Sequence, residues 1–280
     1  MRACLVIVGL AVALWMGIVA HTSEAARPSA PNLRALQGVN FVGACKFSHM
    51  AMDDPIVYPR QPGASHDHSF VGNTSTNAFS TLRTLRGAAT TCKRSGETAA
   101  YWMPTLLLHE QMVMPRGATI YYRRKTLAPV RAFPPGLKMI AGDRHATAPQ
   151  GMQVTSWNCG AASTVPASTE VRTCPNARSE SLRLHVNFPN CWDGRRLDSA
   201  DHQRHLAYSL RGTCPTDHPV ALPAISLIYR YAITGGSGIT LASGGQYSAH
   251  ADFFNAWRQT TLTSLVNGCL NALRHCQQGT

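Results

Sequence analysis

Carboxylates are scarce in this chain: 14 Asp and Glu stand against 26 Lys and Arg, and charged residues make up only 14% of its 280 positions. A hydrophobic content of 44% is enough to bury a core, which excludes a disordered polyelectrolyte. There is no Lys-rich arm and no nucleic-acid-binding signature. The densest basic run is Arg123, Arg124 and Lys125, so no nucleic acid partner is expected. The formal charge of +12 points instead to a solvated basic face or an anionic polysaccharide. No apolar run after residue 20 is long enough to span a bilayer. No C-x-x-C occurs, which disfavours a structural zinc site, and the missing G-x-S-x-G elbow disfavours a serine hydrolase of that kind. The glycine stretches Gly235 to Gly238 and Gly244-Gly245 match no phosphate loop, and no internal repeat is visible.

What is present begins with an export signal over residues 1–25. Arg2 supplies the charged start, Ala3 to Ala20 is apolar, and Ser23-Glu24-Ala25 offers a small-residue cleavage site. Cleavage after Ala20 would instead expose His21, whose amine and imidazole can chelate copper, as in secreted lytic polysaccharide monooxygenases; linker-like sequence follows it. With cleavage after residue 25, Cys4 is lost and nine cysteines become eight. An even count in an oxidising compartment implies up to four disulfides, and pairing of sequence neighbours is the simplest scheme: Cys45 with Cys92, Cys159 with Cys174, Cys191 with Cys214, Cys269 with Cys276. The mature protein is expected to be secreted or extracellular, with a periplasmic or wall-associated location as the alternatives, and with no membrane span.

Residues 26–38, with Pro28 and Pro31, read as a linker before a single domain over 39–280. Proline and glycine then separate short β-rich runs near Val39–Cys45, Ala99–Leu108, Ala118–Arg123, Leu137–Ile140, Met152–Cys159, Leu182–Phe188 and Ala224–Ile233. In Leu182, Leu184, Val186 and Phe188 the apolar residues sit two apart, on one face of a pleat. Near the C-terminus Leu262, Leu265, Val266, Cys269, Leu270 and Leu273 recur at three and four, a helical stripe for which Asp252 is a candidate N-cap. The expected fold is mainly β: a disulfide-rich, single-domain β-sandwich or jelly roll with one C-terminal amphipathic helix.

Three segments place histidine beside carboxylate, amide or hydroxyl groups: Ala64–Asn73, Leu197–Tyr208 and Ser243–Trp257. Two residues apart, His66 and His68 share one side of an extended strand, where both imidazoles can hold a cation or a sugar hydroxyl. His202 and His205 share one face of a helical turn, with Asp201 placed to orient an imidazole or act as base. His250 and Asp252 form the third pair. If the segments converge, the catalytic candidates are His66, His68, Asp201, His202, His205 and His250, and Asn73, Tyr208, Tyr247 and Asp252 contribute to substrate binding. A glycoside hydrolase would need two of Asp198, Asp201 and Asp252. A polysaccharide lyase would use His or Tyr as base and acid, with Arg or a cation neutralising a uronate. A divalent metal ion on His66, His68 and one of His202, His205 or His250 would support hydrolysis or oxidation. The remaining class is a non-catalytic glycan-binding or wall-structural module. Asn73-Thr74-Ser75 is a glycosylation sequon, and Trp102, Trp157, Trp192 and Trp257 read as core.

The stretches DPIVYPRQPGASHDHSFVGN (Asp54–Asn73), AYWMPTL (Ala100–Leu106), FPPGLKMIAGD (Phe133–Asp143), CWDGRRLDSADHQRHLAY (Cys191–Tyr208), CPTDHPVALP (Cys214–Pro223) and YSAHADFFNAW (Tyr247–Trp257) resemble the secreted domain of unknown function numbered nineteen ninety-six. The resemblance implies an extracellular protein. In fungi such domains are often joined to a wall-associated WSC module, an indirect pointer to glycans, and no established catalytic residues come with it.

Overall fold

The alternation read in Leu182–Phe188 sorts as the pleat requires: Leu184 and Val186 are buried in the strand Arg183–Asn187 while Arg183, His185 and Asn187 are half-exposed. That strand belongs to a six-stranded sheet with the order His275–Cys276, Asn40–Cys45, Pro115–Arg123, Ala224–Tyr231, Arg183–Asn187, Thr155–Asn158. A second sheet has five strands in the order Phe47–Ala51, His68–Gly72, Ala100–Pro104, His250–Phe254, Lys138–Gly142. Phe41, Ile120, Tyr122, Leu184, Leu227 and Tyr229 of the first sheet share one dry core with Val71, Tyr101, Met103, Met139, Ala251 and Phe253 of the second. The described chain is therefore a mainly β sandwich, with two further three-stranded sheets. These statements rest on a computed structural model that describes Met1 and residues 32–277.

The export signal expected over residues 1–25, apart from Met1, and the first part of the expected linker lie outside the described residues. From residue 32 the segment read as linker forms a 3-10 turn, Leu33–Leu36, with Asn32 accepting from the Ala35 N–H and Leu36 buried. All four neighbour disulfides form: Cys45–Cys92, Cys159–Cys174, Cys191–Cys214 and Cys269–Cys276. Such bridges fit an oxidising, extracellular setting. No described helix is long and apolar enough to cross a membrane.

The C-terminal helix is shorter than its stripe implied. It runs Gln259–Leu265, continues as a π-helical turn Val266–Asn271, and buries Leu262, Leu265, Val266, Cys269 and Leu270. Leu273 lies past its end and is exposed. Asp252 is no N-cap: it sits in mid-strand, and Arg258 occupies the cap position.

The core contains one ionisable group of consequence. Glu97 is fully buried, with Oε1 3.0 Å from Tyr101 Oη and 3.2 Å from Tyr122 Oη; the two phenol oxygens are also in contact, so one phenol proton goes to Glu97 and the other is shared within the triangle, and Trp257 Nε1 donates to Tyr122 Oη (3.1 Å). Gly43 makes room for it, since a Cβ there would lie 2.6 Å from a Glu97 oxygen. Burial pushes the Glu97 carboxyl up to about 7. The folded chain thus holds a proton that the unfolded chain releases near pH 4.5, so the favourable contribution present at low pH is lost as pH rises through 7. Glu97→Gln should remove that loss: chemical denaturation at pH 4.5 and pH 8 should show the variant gaining on the wild type by roughly 3 kcal/mol between the two. A constant difference across that range would contradict a neutral Glu97 in the core.

Candidate metal centre and cavity

The His68–Gly72 and His250–Phe254 strands are fully buried because both faces of their sheet are covered. The inner face meets the other sheet. On the outer face Phe70, Trp102 and Phe254 pack under Ile56, Leu85 and Ala256. Phe70 is paired with Trp102, and Trp102 with Asp252; Asp252 in turn is paired with Ile140. His68, Asp252 and His250 share this outer face, two-residue steps from Phe70 and Phe254. Gly142 pairs with His250 at positive φ (86°), and a Cβ there would meet the Ala249 carbonyl at 2.5 Å. Glycine therefore lets the strand end close against His250 before the chain turns into Asp143, Arg144 and His145.

The three histidine segments meet at this end of the sheet. One cavity is lined by His66, His250, Asp252, Asp54, Asp201 and His202, and by Asp143, Arg144 and His145. His68 lies directly behind His66, with ring centroids 4.3 Å apart, and His250 is 5.0 Å from His66 and 5.8 Å from His68. Ligand atoms of the three imidazoles all lie within 4.8 Å of one another, as do those of Asp54, His68 and Asp252. Both groups are able to hold a metal ion.

Their hydrogen bonds fit that role. His68 Nδ1 is 3.1 Å from the Asp53 carbonyl and His250 Nδ1 is 2.9 Å from the Ser248 carbonyl. A carbonyl can only accept, so each Nδ1 carries the proton and each Nε2 presents a lone pair, as in the backbone-oriented histidines of metal sites. Nε2 of His66, Nε2 of His68 and both Asp252 oxygens are buried with no hydrogen-bond partner in the protein. Burial holds His66 down to about 4 and His250 to about 3, and pushes His68 well below its usual value, so all three rings are neutral at pH 7. Burial, and then Asp54, raises the Asp252 carboxyl well above the ordinary carboxylate range. A cation would compensate such a group. The third metal-like group, Cys45, Cys92 and Glu97, has both its sulfurs in a disulfide.

At the cavity mouth His202 Nδ1 is 2.8 Å from Asp198 Oδ1, while Lys138 Nζ holds the other Asp198 oxygen at 3.2 Å. His202 adopts positive φ (60°), a strained conformation for a non-glycine residue. Asp201 is otherwise engaged: it accepts from Ser199 Oγ and from the Gln203 and Arg204 N–H groups, and pairs with Arg204. Desolvation is the largest single influence and raises its carboxyl, but the bonds from Arg204, Ser199 and Gln203 together with the Arg204 charge outweigh it and bring the carboxyl to about 2. Arg144 donates to Tyr58 Oη at 3.1 Å and to His145 Nε2 at 2.9 Å.

The structure does not bring the other expected residues here. His205 is sealed in the interior between Ser199 Oγ (2.9 Å) and the Lys138 carbonyl (2.7 Å). Asn73 is also buried, donating to the Leu85 and Thr98 carbonyls at 2.7 and 2.8 Å, so the sequon is closed to modification in the folded chain. Tyr208 donates to the Asn187 carbonyl in a neighbouring depression, and Tyr247 to Glu170. Trp102, Trp157 and Trp257 are core, and Trp192 is half-buried. Asp54, Asp143, Arg144 and His145 line the cavity without having been singled out; the run Asp143-Arg144-His145 after a strand was the available signal.

Two measurements follow. The purified protein should bind a divalent transition ion such as Zn²⁺ or Cu²⁺ near unit stoichiometry by calorimetry, and His68→Ala should weaken it at least ~100-fold; unchanged affinity would show that His68 is no ligand. Asn73→Ala should cost about 2–3 kcal/mol in denaturant unfolding, because two buried carbonyls lose their donor; a neutral substitution would mean that water replaces it.

No curated protein and no solved structure matches this chain. A family model described as Domain of unknown function (DUF1996) matches residues 54–257, a span that begins at Asp54 of the cavity and ends just beyond its His250–Phe254 strand. The chain therefore belongs to the DUF1996 family.

Proposed function

We propose that the protein is a secreted, metal-dependent enzyme that cleaves an acidic polysaccharide by β-elimination. The observation that carries this reading is the convergence of the neutral rings of His66, His68 and His250, the last two with Nε2 lone pairs directed away from their carbonyl anchors, beside the His202–Asp198 pair, in which His202 has a strained backbone. A divalent ion held by the three imidazoles would neutralise a uronate carboxylate as negative charge builds on it. Arg144 adds a fixed positive charge at the same mouth. Asp198 accepts the Nδ1 proton of His202, which leaves Nε2 as the basic nitrogen. His202 Nε2 takes the proton beside the uronate carboxylate, the C–O bond to the neighbouring sugar breaks, its electron pair leaves on the sugar oxygen, which takes a proton from solvent, and a carbon–carbon double bond forms in the uronate. Asp201, whose oxygens are occupied by local donors, orients the loop and does not act as base.

Hydrolysis and simple glycan binding are distinguished by product. Incubation of the metal-loaded protein with polygalacturonate and alginate should generate reducing ends together with ultraviolet-absorbing unsaturated uronates. His202→Ala should lower kcat by ~10²–10⁴ without changing metal affinity. Reducing ends without unsaturation would replace elimination by hydrolysis, and binding without either signal would make the domain a glycan-binding module.

A further inference from the structure

The cavity lies on the outer face of the five-stranded sheet; the outer face of the six-stranded sheet, across the core, carries a second concentration of charge. Arg183 on Arg183–Asn187 stands directly opposite Arg230 on Ala224–Tyr231. Arg123 lies on the adjoining Pro115–Arg123 strand, its guanidinium 4.3 Å over the Tyr121 ring and its Nη1 donating to Ser226 Oγ at 2.6 Å. All three arginines are half-buried. Like charges facing each other across strands repel. Here nothing offsets them: none of the ion pairs among the described residues includes Arg123, Arg183 or Arg230, and Nε of both Arg183 and Arg230 is buried without a partner. His185 lies beside them, held down to about 4 chiefly by burial and further by the charges of Arg183 and Arg123.

The geometry points to a binding face for an acidic polysaccharide chain, one whose repeated carboxylates or sulfates bridge Arg123, Arg183 and Arg230. A polymer suits the layout better than a single ion. Arg123 pairs with Ala224 and Arg230 with Gly117, a backbone spacing of six residues, and the Arg123 guanidinium, folded back onto Ser226, still lies four residues, roughly 13 Å, from the Arg230 position. Nucleic acid suits it less well, because the face's aromatic, Tyr121, is already covered by Arg123 and offers no stacking platform for bases. Four disulfides also fit an extracellular setting, where polyanions are largely glycans. This face is separate from the cavity and stands whether or not the cavity is catalytic.

The test uses the full chain, polygalacturonate and dextran sulfate as probes, and neutral dextran as control. The wild type should bind both polyanions with affinity that falls as salt rises, and should ignore neutral dextran. Arg183→Gln with Arg230→Gln should lower affinity at least roughly tenfold and flatten the salt dependence, with unchanged circular dichroism and metal binding. Dextran sulfate, which carries no uronate for the cavity to act on, should bind equally well to metal-loaded and chelator-treated protein, which separates this face from the metal centre. Undiminished binding by the double variant, no binding by the wild type, or tighter binding to single-stranded DNA than to either polyanion would overturn the assignment.

Discussion

Pairing of the His250–Phe254 strand between Ala100–Pro104 and Lys138–Gly142 is the constraint from which both the core and the cavity follow. It sends Ala251 and Phe253 into the dry interior with Tyr101 and Met139, and it sends His250 and Asp252 to the outer face with Trp102 and Ile140. A slip of one residue would exchange the two sets, placing an imidazole and a carboxyl in the core. Gly142 secures the pairing at the end where it matters, because any side chain there would meet the Ala249 carbonyl.

Polar groups in and around this sheet are buried at a cost, and the way each is offset separates scaffold from site. His205 and Asn73 have partners on two sides and are scaffold. His68 and His250 have one ring nitrogen anchored to a carbonyl and the other free, and Asp252 has no partner at either oxygen. Unpaired buried acceptors clustered at one point are what a structure retains for a ligand rather than for stability. Glu97 is a different case: one oxygen is tied into two phenols, the other has no partner, and it stands alone in the apolar core, where burial raises the carboxyl to about 7.

The two outer faces of the sandwich are chemically distinct. One carries neutral imidazoles, buried carboxyls and a single guanidinium at a cavity mouth. The other carries arginines in register across neighbouring strands with no acidic partner. Alternation along each strand produces this division, since the same pleat that buries one row of side chains presents the next to the outside.

Periodicity in the chain determined the β class, the terminal helix and much of the strand set, because apolar residues two or three to four apart have one way to meet a core. Cysteine neighbours along the chain were also the true partners. The strands His68–Gly72 and His250–Phe254 were not legible: covered on both faces, they lack the alternation that marks a half-exposed strand, and their polar residues imitate a loop. His202 and His205 look equivalent in sequence, yet one lines the cavity and the other is sealed inside. Arg144 was marked only by its place in the charged run Asp143-Arg144-His145 that follows a strand. Which imidazoles converge was decided by strand order and register, which bring together residues nearly two hundred positions apart, because a side chain's chemistry is local to the sequence while its neighbours are set by the pairing of distant backbones.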